Sequence, residues 1–551
     1  MRADVVVIGS GGAGLLAACL AADAGRQVLV LERAPLLGGT TAVSGGMLWL
    51  PDNPLMPAFG VPDSGEDALR YLERVTEGTV EPWRLTQFVQ LGRELLRYLH
   101  ARTPVRLFPI DRPDYHCEWP GARNGGRTLD NEPFETASRP GLADRIRAGP
   151  HFTALTYEEK HRWRTPNAEQ RELIATRQRR RVLTVGRALV AALVAACDER
   201  GVRFWTGARA NRLELEQGRV AGVRVQTSDG PTVVQATTGV VLASGGFEWN
   251  RELAQAFLGK ANIVPVSPPG NSGDGLTMAM TAGAALGAMS EAWWAPVVCP
   301  PEQTYDGAQL SRHLVAERCL PGSIMVNRYG RRFVNEALNY NDLTKALLAF
   351  DPAGYQHPNS PAWLLFDEGY RRRYPAGFLT SADPSSADPA SADHSAAGPA
   401  PDWLCRGSSI GELAARTGID LPALTETLGI FNDFARRGTD PAFGRGRTAH
   451  DRYYGDEDWP GNPCLGPIEE PPFYAVEVLA GTLGTKGGVL TDHAGRVLRA
   501  DGTMIAGLFA CGNVAASLMG PGYPGSGGTL GPALVGGYLC GRGLGRAAES
   551  R

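Results

Sequence analysis

Three glycines near the start of the chain have the spacing of a site that binds a pyrophosphate. Gly9, Gly11 and Gly14 form the pattern G-x-G-x-x-G. In this pattern the first glycine allows a tight turn, the second lets the backbone approach the phosphates, and the third lets a helix pack closely on a strand. The acidic residue Glu32 follows 18 positions after Gly14, where the pattern places an acceptor for a ribose hydroxyl. These residues predict a dinucleotide site, and the acidic residue favours NAD or FAD over a cofactor with a 2′-phosphate.

The segments around these glycines have the order that such a site requires. Four apolar β-forming residues, Val5–Ile8, precede Gly9, and a segment rich in alanine and leucine with helical spacing follows Gly14. A second apolar strand, Val28–Leu31, ends at Glu32. The N-terminus of the helix has free N–H groups and a partial positive charge for the phosphates. This order predicts an α/β, Rossmann-like domain.

Three further stretches of small residues indicate FAD rather than NAD. Gly38–Gly46 reads G-G-T-T-A-V-S-G-G directly after the second strand, where a nicotinamide dehydrogenase has no evident need for such a loop. An apolar strand in Gly239–Phe247 ends in glycines, and Gly507–Asn513 precedes a small-residue helix at Gly531–Tyr538. In this order, the four motifs resemble the flavoprotein family that contains fumarate reductase, succinate dehydrogenase and 3-ketosteroid dehydrogenase.

The resemblance implies a discontinuous FAD-binding domain of residues 1–285 and 480–551. An α+β catalytic domain of residues 286–479 is expected to be inserted between these parts and to cap the flavin. The segment Ile324–Glu336 matches a hairpin of that inserted domain. The residues expected to bind FAD are Gly9, Gly11, Gly12, Ala13, Gly14, Glu32, Arg33, Gly39, Thr40, Thr41, Ser44, Gly45, Gly46, Ala210, Gly245, Gly512, Asn513, Gly528 and Leu530.

The same resemblance predicts that FAD is held without a covalent bond. Some relatives attach FAD through the histidine of a loop that reads H-T-x-A-x-x-G-G. Aligning the loops on Thr40 and the Gly45–Gly46 pair places Gly39 at that histidine. The closing helix is expected to point its N-terminus at the pyrimidine edge of the flavin, where it would stabilise negative charge.

Three positions distinguish the chain from the fumarate reductases that it resembles. Tyr340 stands in the register of their proton-delivering arginine, Gly484 replaces a carboxylate-binding histidine, and Thr529 replaces a carboxylate-binding arginine. Each charge-assisted hydrogen bond to a carboxylate contributes roughly 1.5–3 kcal/mol. The loss of these groups predicts a pocket for a neutral molecule, with Trp293–Val297 either forming an apolar wall or packing in the core.

The segment Met519–Ala533 contains Y-P-G-x-G, which resembles the signature of 3-ketosteroid Δ1-dehydrogenases. The resemblance implies that the Tyr523 hydroxyl and the Gly527 N–H bind the C3 carbonyl and stabilise charge on its oxygen. Tyr340 matches the family's general base, and Tyr115 matches, more loosely, a tyrosine that hydrogen-bonds to the base; packing is the other interpretation of Tyr115. Because an unperturbed tyrosine has a pKa of about 10, a neighbour must favour the phenolate or relay the proton away.

The function implied by the resemblance is FAD-dependent 1,2-desaturation of a 3-ketosteroid. Tyr340 would take a proton from C2, a hydride would pass from C1 to flavin N5, and an external, quinone-like acceptor would reoxidise the flavin. Desaturation at C4–C5 of a 5α-3-ketosteroid stays open, as do a fumarate- or urocanate-type reductase and a flavin-binding protein without catalysis.

Composition is consistent with a globular enzyme of more than one domain. The chain has 551 residues, a formal net charge of -3 and a charged fraction of 21%, so no nucleic-acid partner is expected. The nine cysteines are scattered, which predicts neither a disulfide framework nor a metal site. With no apolar stretch long enough to span a bilayer, a cytoplasmic protein is expected, although peripheral membrane association stays open. The low-complexity segment within residues 380–401 is predicted to be a mobile surface loop.

Overall fold

The computed structural model describes residues 1–150, 154–163, 166–260, 262–301, 303–374 and 400–546. Most of the low-complexity segment predicted as a mobile loop therefore lies outside the described residues.

The strands over these ranges are β1 (Arg2–Ile8), β2 (Val28–Leu31), β3 (Leu48–Trp49), β4 (Leu107–Pro109), β5 (Thr128–Asn131), β6 (Arg203–Trp205), β7 (Arg209–Glu216), β8 (Arg219–Thr227), β9 (Gly230–Leu242), β10 (Val264–Pro265), β11 (Leu286–Gly287), β12 (Ala292–Val298), β13 (Thr304–Tyr305), β14 (Ala308–Gln309), β15 (Arg312–His313), β16 (Ser323–Asn327), β17 (Ala362–Asp367), β18 (Cys405–Gly407), β19 (Phe473–Thr485), β20 (Gly488–Val489), β21 (Arg496–Leu498) and β22 (Met504–Ala510).

The helices are α1 (Gly12–Asp23), α2 (Gly39–Ala42), α3 (Met56–Phe59), α4 (Gly65–Val75), α5 (Pro82–Arg102), α6 (Tyr157–Arg162), α7 (Ala168–Arg179), α8 (Val185–Glu199), α9 (Arg251–Leu258), α10 (Asp274–Thr281), α11 (Tyr340–Leu347), α12 (Glu368–Arg373), α13 (Ile410–Thr417), α14 (Leu421–Arg437), α15 (Ala449–Tyr453) and α16 (Leu530–Arg546). Among these, none combines the length and the apolarity that crossing a bilayer requires.

A mostly parallel sheet forms the centre of the molecule. Its strand order is β21-β22-β9-β1-β2-β6, and β8 and β7 continue from β9 as an antiparallel extension. The apolar run Val5–Ile8 in β1 is buried and pairs in parallel with β2 and β9, as strands covered on both faces require. This arrangement confirms the predicted α/β, Rossmann-like fold.

The parallel strands bring the glycine motifs together because their carboxyl ends share one edge of the sheet. Strand β1 leads into Gly9, β2 into Glu32, β9 into the turn before Gly245, and β22 into Gly512. A binding site at the carboxyl edge is the usual arrangement in open α/β sheets. Segments far apart in sequence therefore meet at one place.

Helix α16 packs on α1 through glycines. A Cβ atom at Gly537 would lie 2.3 Å from the carbonyl oxygen of Ala13, and one at Gly541 would lie 2.4 Å from the Cβ of Leu20. Only glycine allows two helix backbones to approach so closely. The end of the chain is thereby fixed against the first helix.

A second sheet has the order β15-β12-β19-β17-β16, and β10 and β18 also pair with β19. Strand β10 precedes the predicted limit at residue 285, and the last residues of β19 follow the limit at residue 480. The exact division into domains 1–285 with 480–551 and 286–479 stays a prediction.

The hairpin expected at Ile324–Glu336 does not form. The structure has only its first strand, β16, which pairs with β17 instead. The residues after the turn fold back because the buried Glu336 carboxylate lies 2.6 Å from Arg332 and 3.3 Å from Arg445. A tertiary ion-pair network therefore prevails over the local strand pattern.

Candidate active site

The glycines after β1 form an open cradle. Gly9 has a φ of +106°, and a Cβ atom there would lie 2.3 Å from the carbonyl oxygen of Ala243. A Cβ at Gly14 would lie 2.2 Å from the carbonyl oxygen of Gly9, whereas at Gly11 the nearest atom would be Thr41 Oγ1 at 3.6 Å. The backbone is thus closely packed on the protein side and open at Gly11, where a phosphate has to approach. This geometry fits the pyrophosphate of FAD.

Glu32 is buried at the end of β2 and belongs to a hydrogen-bond network. Its Oε2 accepts hydrogen bonds from the Ser10 N–H and hydroxyl at 3.1 and 2.6 Å, and its Oε1 accepts from the Ala34 N–H at 2.9 Å. A carboxylate has about four acceptor positions, so one stays available to a ribose hydroxyl. Ala208 N–H donates to the Glu32 carbonyl at 2.9 Å, which places the strand of Ala210 beside it.

The loop Gly38–Gly46 connects to two other predicted cofactor segments. Thr41 Oγ1 accepts a hydrogen bond from the Gly12 N–H at 3.1 Å. Thr40 Oγ1 accepts one from Asn271 Nδ2 at 3.0 Å, and a Cβ at Gly245 would lie 2.5 Å from Asn271 Oδ1. The loop is therefore held between the first helix and the turn after β9.

Arg33 makes contacts with the protein itself. Its Nη1 donates to the Gly270 carbonyl at 2.9 Å and to the Ser272 hydroxyl at 2.6 Å.

The role of Arg33 at the cofactor stays a prediction, and so do the roles of the other predicted residues. Those that the structure places along the carboxyl edge or on the segments joined to it are Gly9, Gly11, Gly12, Ala13, Gly14, Glu32, Gly39, Thr40, Thr41, Ser44, Gly45, Gly46, Gly245, Gly512 and Asn513.

A cavity of about 90 Å³ lies between β22 and the first turns of α16. Gly512 and Asn513 line it from the end of β22, and Thr529 lines it next to Gly528 and Leu530, where α16 begins. Trp293 borders it on the side of the second sheet. Of the residues predicted to contact the flavin, Gly512 and Asn513 therefore border this space.

Three predicted catalytic residues meet in one cluster. The ring centroids of Tyr115, Tyr340 and Tyr523 are 5.2–5.4 Å apart in every pair, and all three side chains are buried. We call these three residues the tyrosine cluster. They come from segments more than 180 residues apart, so the fold brings them together.

Local contacts fix the loop before α16, which carries both Tyr523 and Gly527. The Pro524 carbonyl accepts hydrogen bonds from the Tyr71 hydroxyl at 2.7 Å and the Tyr115 N–H at 3.0 Å. Gly527 has a φ of +90°, and a Cβ there would lie 2.6 Å from the Trp49 nitrogen. Within the described ranges, no acceptor engages the Gly527 N–H. This N–H can therefore donate to a ligand.

The tyrosine hydroxyls are neutral phenols at neutral pH. Burial raises the pKa of Tyr340 well above its usual value, and Tyr115 and Tyr523 raise it further. Burial also raises the pKa of Tyr523, against the effect of a 2.9 Å hydrogen bond with Thr529 Oγ1. Tyr115 shares a 3.1 Å hydrogen bond with Ser526 Oγ. Of the two routes that the sequence left open for the base, these hydroxyls favour relay of the proton over a stable phenolate.

Two histidines beside the tyrosine cluster, the half-buried His313 and the buried His450, were missed in the sequence. The His313 ring lies 4.4 Å from that of Tyr340, and the His450 ring lies 5.0 Å from that of Tyr115. Burial lowers the pKa of His313 to about 3, so its imidazole is neutral. Neither Nε2 has a hydrogen-bond partner in the part of the chain that the structure describes. No motif surrounds either histidine, so no local pattern signalled them.

Two buried cations were missed as well. Lys486 lies within G-T-K-G-G, where only Gly484 was compared with relatives; its Nζ donates to the carbonyls of Gly520 and Gly522 at 3.0 and 2.7 Å. Arg112 lies three residues before Tyr115 and is also buried. The expectation of a pocket for a neutral molecule was based on three register positions and did not consider these side chains.

Only part of the proposed apolar wall faces the site. The Trp293 ring lies 4.8 Å from that of Tyr523, whereas Trp294 packs in the core on the other side, against the large sheet. Successive residues of a strand point to opposite faces. Trp293 is therefore the tryptophan that contacts the tyrosine cluster.

Comparison with known proteins agrees with this geometry. Residues 4–530 match the family model described as an FAD binding domain. The chain is 43% identical to a 4-oxocyclohexanecarboxylate 2-dehydrogenase of Sinomonas cyclohexanicum, over 98% of this chain and 92% of the relative. It is 36% identical to a 3-oxosteroid 1-dehydrogenase of Mycobacterium tuberculosis, over 97% of each chain.

A solved structure is similar over the full length. The 3-ketosteroid delta1-dehydrogenase of Sterolibacterium denitrificans, in complex with 1,4-androstadiene-3,17-dione, superimposes with a TM-score of 0.88 at 34% identity and covers 100% of both chains. The motifs, the cradle and these matches agree on FAD as the cofactor and on an oxidoreductase. The chain belongs to the FAD-binding flavoprotein family that includes the 3-oxosteroid 1-dehydrogenases.

Proposed function

We propose that this protein removes two hydrogens from the carbon–carbon bond next to the carbonyl of a six-membered ring ketone. On the A-ring of a 3-ketosteroid, this reaction is 1,2-desaturation. The observation that carries the proposal is the buried tyrosine cluster beside the unengaged N–H of Gly527. Hydroxyl and amide donors in a buried site can polarise a neutral ketone.

The residues have distinct parts in the proposed reaction. The Tyr523 hydroxyl and the Gly527 N–H donate to the ketone oxygen, which makes the hydrogens on the adjacent carbon more acidic. The Tyr340 oxygen takes one of them as a proton while its own hydroxyl proton passes to Tyr115, which is hydrogen-bonded to Ser526 and passes its hydroxyl proton on to the Ser526 oxygen. FAD, when bound, would accept a hydride from the next carbon. The carbon–carbon double bond forms between these two carbons.

Two classes of substrate are supported by the relatives. The first is a 3-ketosteroid, which the relatives of M. tuberculosis and S. denitrificans support. The second is a small oxocyclohexanecarboxylate, which the S. cyclohexanicum relative supports. A specific observation favours this second candidate: Arg112 is a buried cation near the tyrosine cluster.

The test of the reaction is the variant Tyr340→Phe. Loss of a general base commonly lowers turnover by about 10²–10⁴-fold, so the variant should retain yellow FAD and lose activity on that scale. Activity is followed with an artificial electron acceptor, using a 4-en-3-one steroid and 4-oxocyclohexanecarboxylate in parallel. The steroid also separates 1,2- from 4,5-desaturation, because it already has the C4–C5 double bond.

Tyr98→Phe is the matched control. The Tyr98 hydroxyl donates to Asp23 at 2.7 Å, outside the tyrosine cluster, so its removal should leave turnover close to that of the wild type. Near-normal desaturation by Tyr340→Phe would remove Tyr340 as the base.

A further inference from the structure

Arg112 is a buried cation with few acceptors. The residue is 2% exposed to solvent. Among the described residues, Nη2 donates to the Tyr454 hydroxyl, Nη1 reaches only the Met47 sulfur at 3.4 Å, and Nε has no partner. A guanidinium has five N–H donors, and a thioether is a weak acceptor. In the part of the chain that the structure describes, most of these donors therefore have no oxygen acceptor.

The other fully buried arginines have the acceptors that Arg112 lacks. Arg127 pairs with Asp63 and Asp114 at 2.7 and 2.8 Å. Arg318 donates to backbone carbonyls, one of them that of Leu338 at 2.7 Å. Arg445 likewise donates to two carbonyls and lies 3.3 Å from a buried carboxylate.

The contrast has an energetic meaning. Within the described ranges, no carboxylate lies within ion-pair distance of Arg112. A buried charge without an anionic partner is costly, and arginine stays charged at all physiological pH values. A bound ligand is therefore the group that can supply the negative charge opposite Arg112.

Aromatic rings hold the guanidinium in place. The Arg112 Cζ lies 4.7, 5.3 and 5.1 Å from the ring centroids of Tyr157, Tyr453 and Tyr454. Such rings stabilise a cation through their faces, and of the three only Tyr454, through its hydroxyl, accepts a hydrogen bond from the guanidinium. These N–H groups suit a planar carboxylate, which guanidinium can bind with two parallel hydrogen bonds.

Arg112 borders the proposed site. Its Nη1 contacts the side-chain sulfur of Met47, and the backbone of Met47 lies against Gly527, since a Cβ at Gly527 would be 2.7 Å from the Met47 carbonyl oxygen. The charge of Arg112 also acts on the tyrosine cluster: burial raises the pKa of Tyr115 and of Tyr523, and Arg112 opposes the shift in both. The guanidinium is thus beside the same group of residues as the predicted ketone donors.

We propose that Arg112 binds a carboxylate on the substrate, so that the preferred substrate is a six-membered ring ketone bearing a carboxylate group. This inference rests on the reaction proposed above and names its substrate class. The ketone oxygen is held by Tyr523 and Gly527, and the carboxylate by Arg112. Arg112 is then the residue that sets specificity for an acid over a neutral ketone.

The test compares 4-oxocyclohexanecarboxylate with its methyl ester, which keeps the ketone and removes the charge. Wild-type kcat/KM should be higher for the acid than for the ester. Arg112→Met should lower kcat/KM for the acid by about 10- to 100-fold, as expected for a lost charge-assisted hydrogen bond. For the ester the change should stay below about threefold, because the ester makes no such bond. Arg112→Lys, which keeps a point charge without the planar fork, should lie between the two.

Arg416→Met is the control for loss of a positive charge elsewhere. Arg416 is exposed and pairs with Glu412 at 2.9 Å, so its removal should leave the preference for the acid unchanged. Wild-type enzyme that uses the ester as efficiently as the acid overturns the proposal. An Arg112→Met variant that loses acid and ester activity by the same factor also overturns it. That result would mean that Arg112 orients Tyr454 or stabilises the fold rather than binding the carboxylate.

A binding measurement separates this inference from the proposed reaction. Cyclohexanecarboxylate lacks the ketone, and its binding can be followed by the absorption change of the bound flavin, with cyclohexanecarboxamide as the neutral twin. Wild-type protein should bind the acid more tightly than the amide, and Arg112→Met should remove the difference. Equal binding of acid and amide by wild-type protein overturns the role of Arg112. If the enzyme turns over none of the acid, the ester and the steroid and yet binds cyclohexanecarboxylate more tightly than the amide, the proposed reaction is wrong, and the carboxylate site at Arg112 is retained. If Arg112→Met does not retain FAD, the role of Arg112 is decided by the acid and amide affinities of the wild-type protein and of Arg112→Lys.

Discussion

Replacing Lys486 by methionine should change the pH dependence of stability. Burial lowers the pKa of the Lys486 ammonium from 10.5 to about 7, although Glu291 opposes the shift. Below about pH 7, Lys486 is charged in both the folded and the unfolded chain, and the penalty for the buried charge is fully present. As the pH rises toward 10.5, the folded chain holds a neutral amine while the unfolded chain stays charged. The wild-type protein therefore becomes more stable with rising pH in this window.

The size of the effect follows from the pKa. Each pKa unit corresponds to roughly 1.4 kcal/mol. Because Lys486 is already half-deprotonated in the folded chain at pH 7, the wild-type protein should gain about 2 kcal/mol of unfolding free energy from this group between pH 7 and pH 9. Lys486→Met lacks this gain, and it leaves the carbonyls of Gly520 and Gly522 without their donor. Its deficit relative to the wild type should thus be small at pH 6, where methionine also removes a buried charge, and larger at pH 9.

The assay is urea denaturation of the FAD-loaded protein at several pH values, followed by circular dichroism. Arg416→Met is the control for loss of a positive charge elsewhere, because the exposed Arg416 pairs with Glu412 at 2.9 Å and a guanidinium stays charged across this pH range. The control should differ from the wild type by the same amount at every pH. A Lys486→Met deficit that is equally independent of pH would refute the reasoning, since it would mean that Lys486 titrates alike in folded and unfolded chains.

Three further changes test other parts of the site. Gly527→Ala should lose ketone turnover and stability together, because the new Cβ would lie 2.6 Å from the Trp49 nitrogen at a φ of +90°; turnover close to that of the wild type would contradict the close packing. His313→Phe should raise stability in acid relative to the wild type, because the low pKa of His313 makes the folded protein lose stability as the pH falls from 6.5 toward about 3; equal acid denaturation midpoints would argue against a buried neutral imidazole. Gly14→Val should abolish FAD retention, measured by flavin absorbance per chain, because a Cβ there would lie 2.2 Å from the Gly9 carbonyl oxygen.

The cofactor edge could be predicted from sequence because its signals are local. The apolar run of β1, the glycines after it and Glu32 each follow from neighbouring residues, and the strand pairing then brings them to one edge. The closing helix was predicted at Gly531–Tyr538 and extends over Leu530–Arg546. Tyr340 and Tyr523 were found through motifs that match at several residues.

The remaining features depend on contacts that no local pattern records. The prediction of a hairpin at Ile324–Glu336 was wrong because the Glu336 carboxylate is buried between Arg332 of the same segment and Arg445, which is more than 100 residues away in sequence. Arg112 resembles any arginine of a loop until the fold surrounds it with tyrosine rings. The neutral state of His313 likewise results from burial, which arises only once the second sheet has assembled.

The position of β22 in the central sheet has a consequence for biosynthesis. Strand β22 pairs with β9, and α16 packs on α1. The surfaces of β9 and α1 that these elements bury therefore stay exposed until Met504–Arg546 has been synthesised. Until then, β9 presents an open edge of backbone N–H and C=O groups to other chains. A nascent polypeptide that stalls before this segment is therefore expected to aggregate and to lack the flavin, whereas release of the last helix allows the cofactor to be captured.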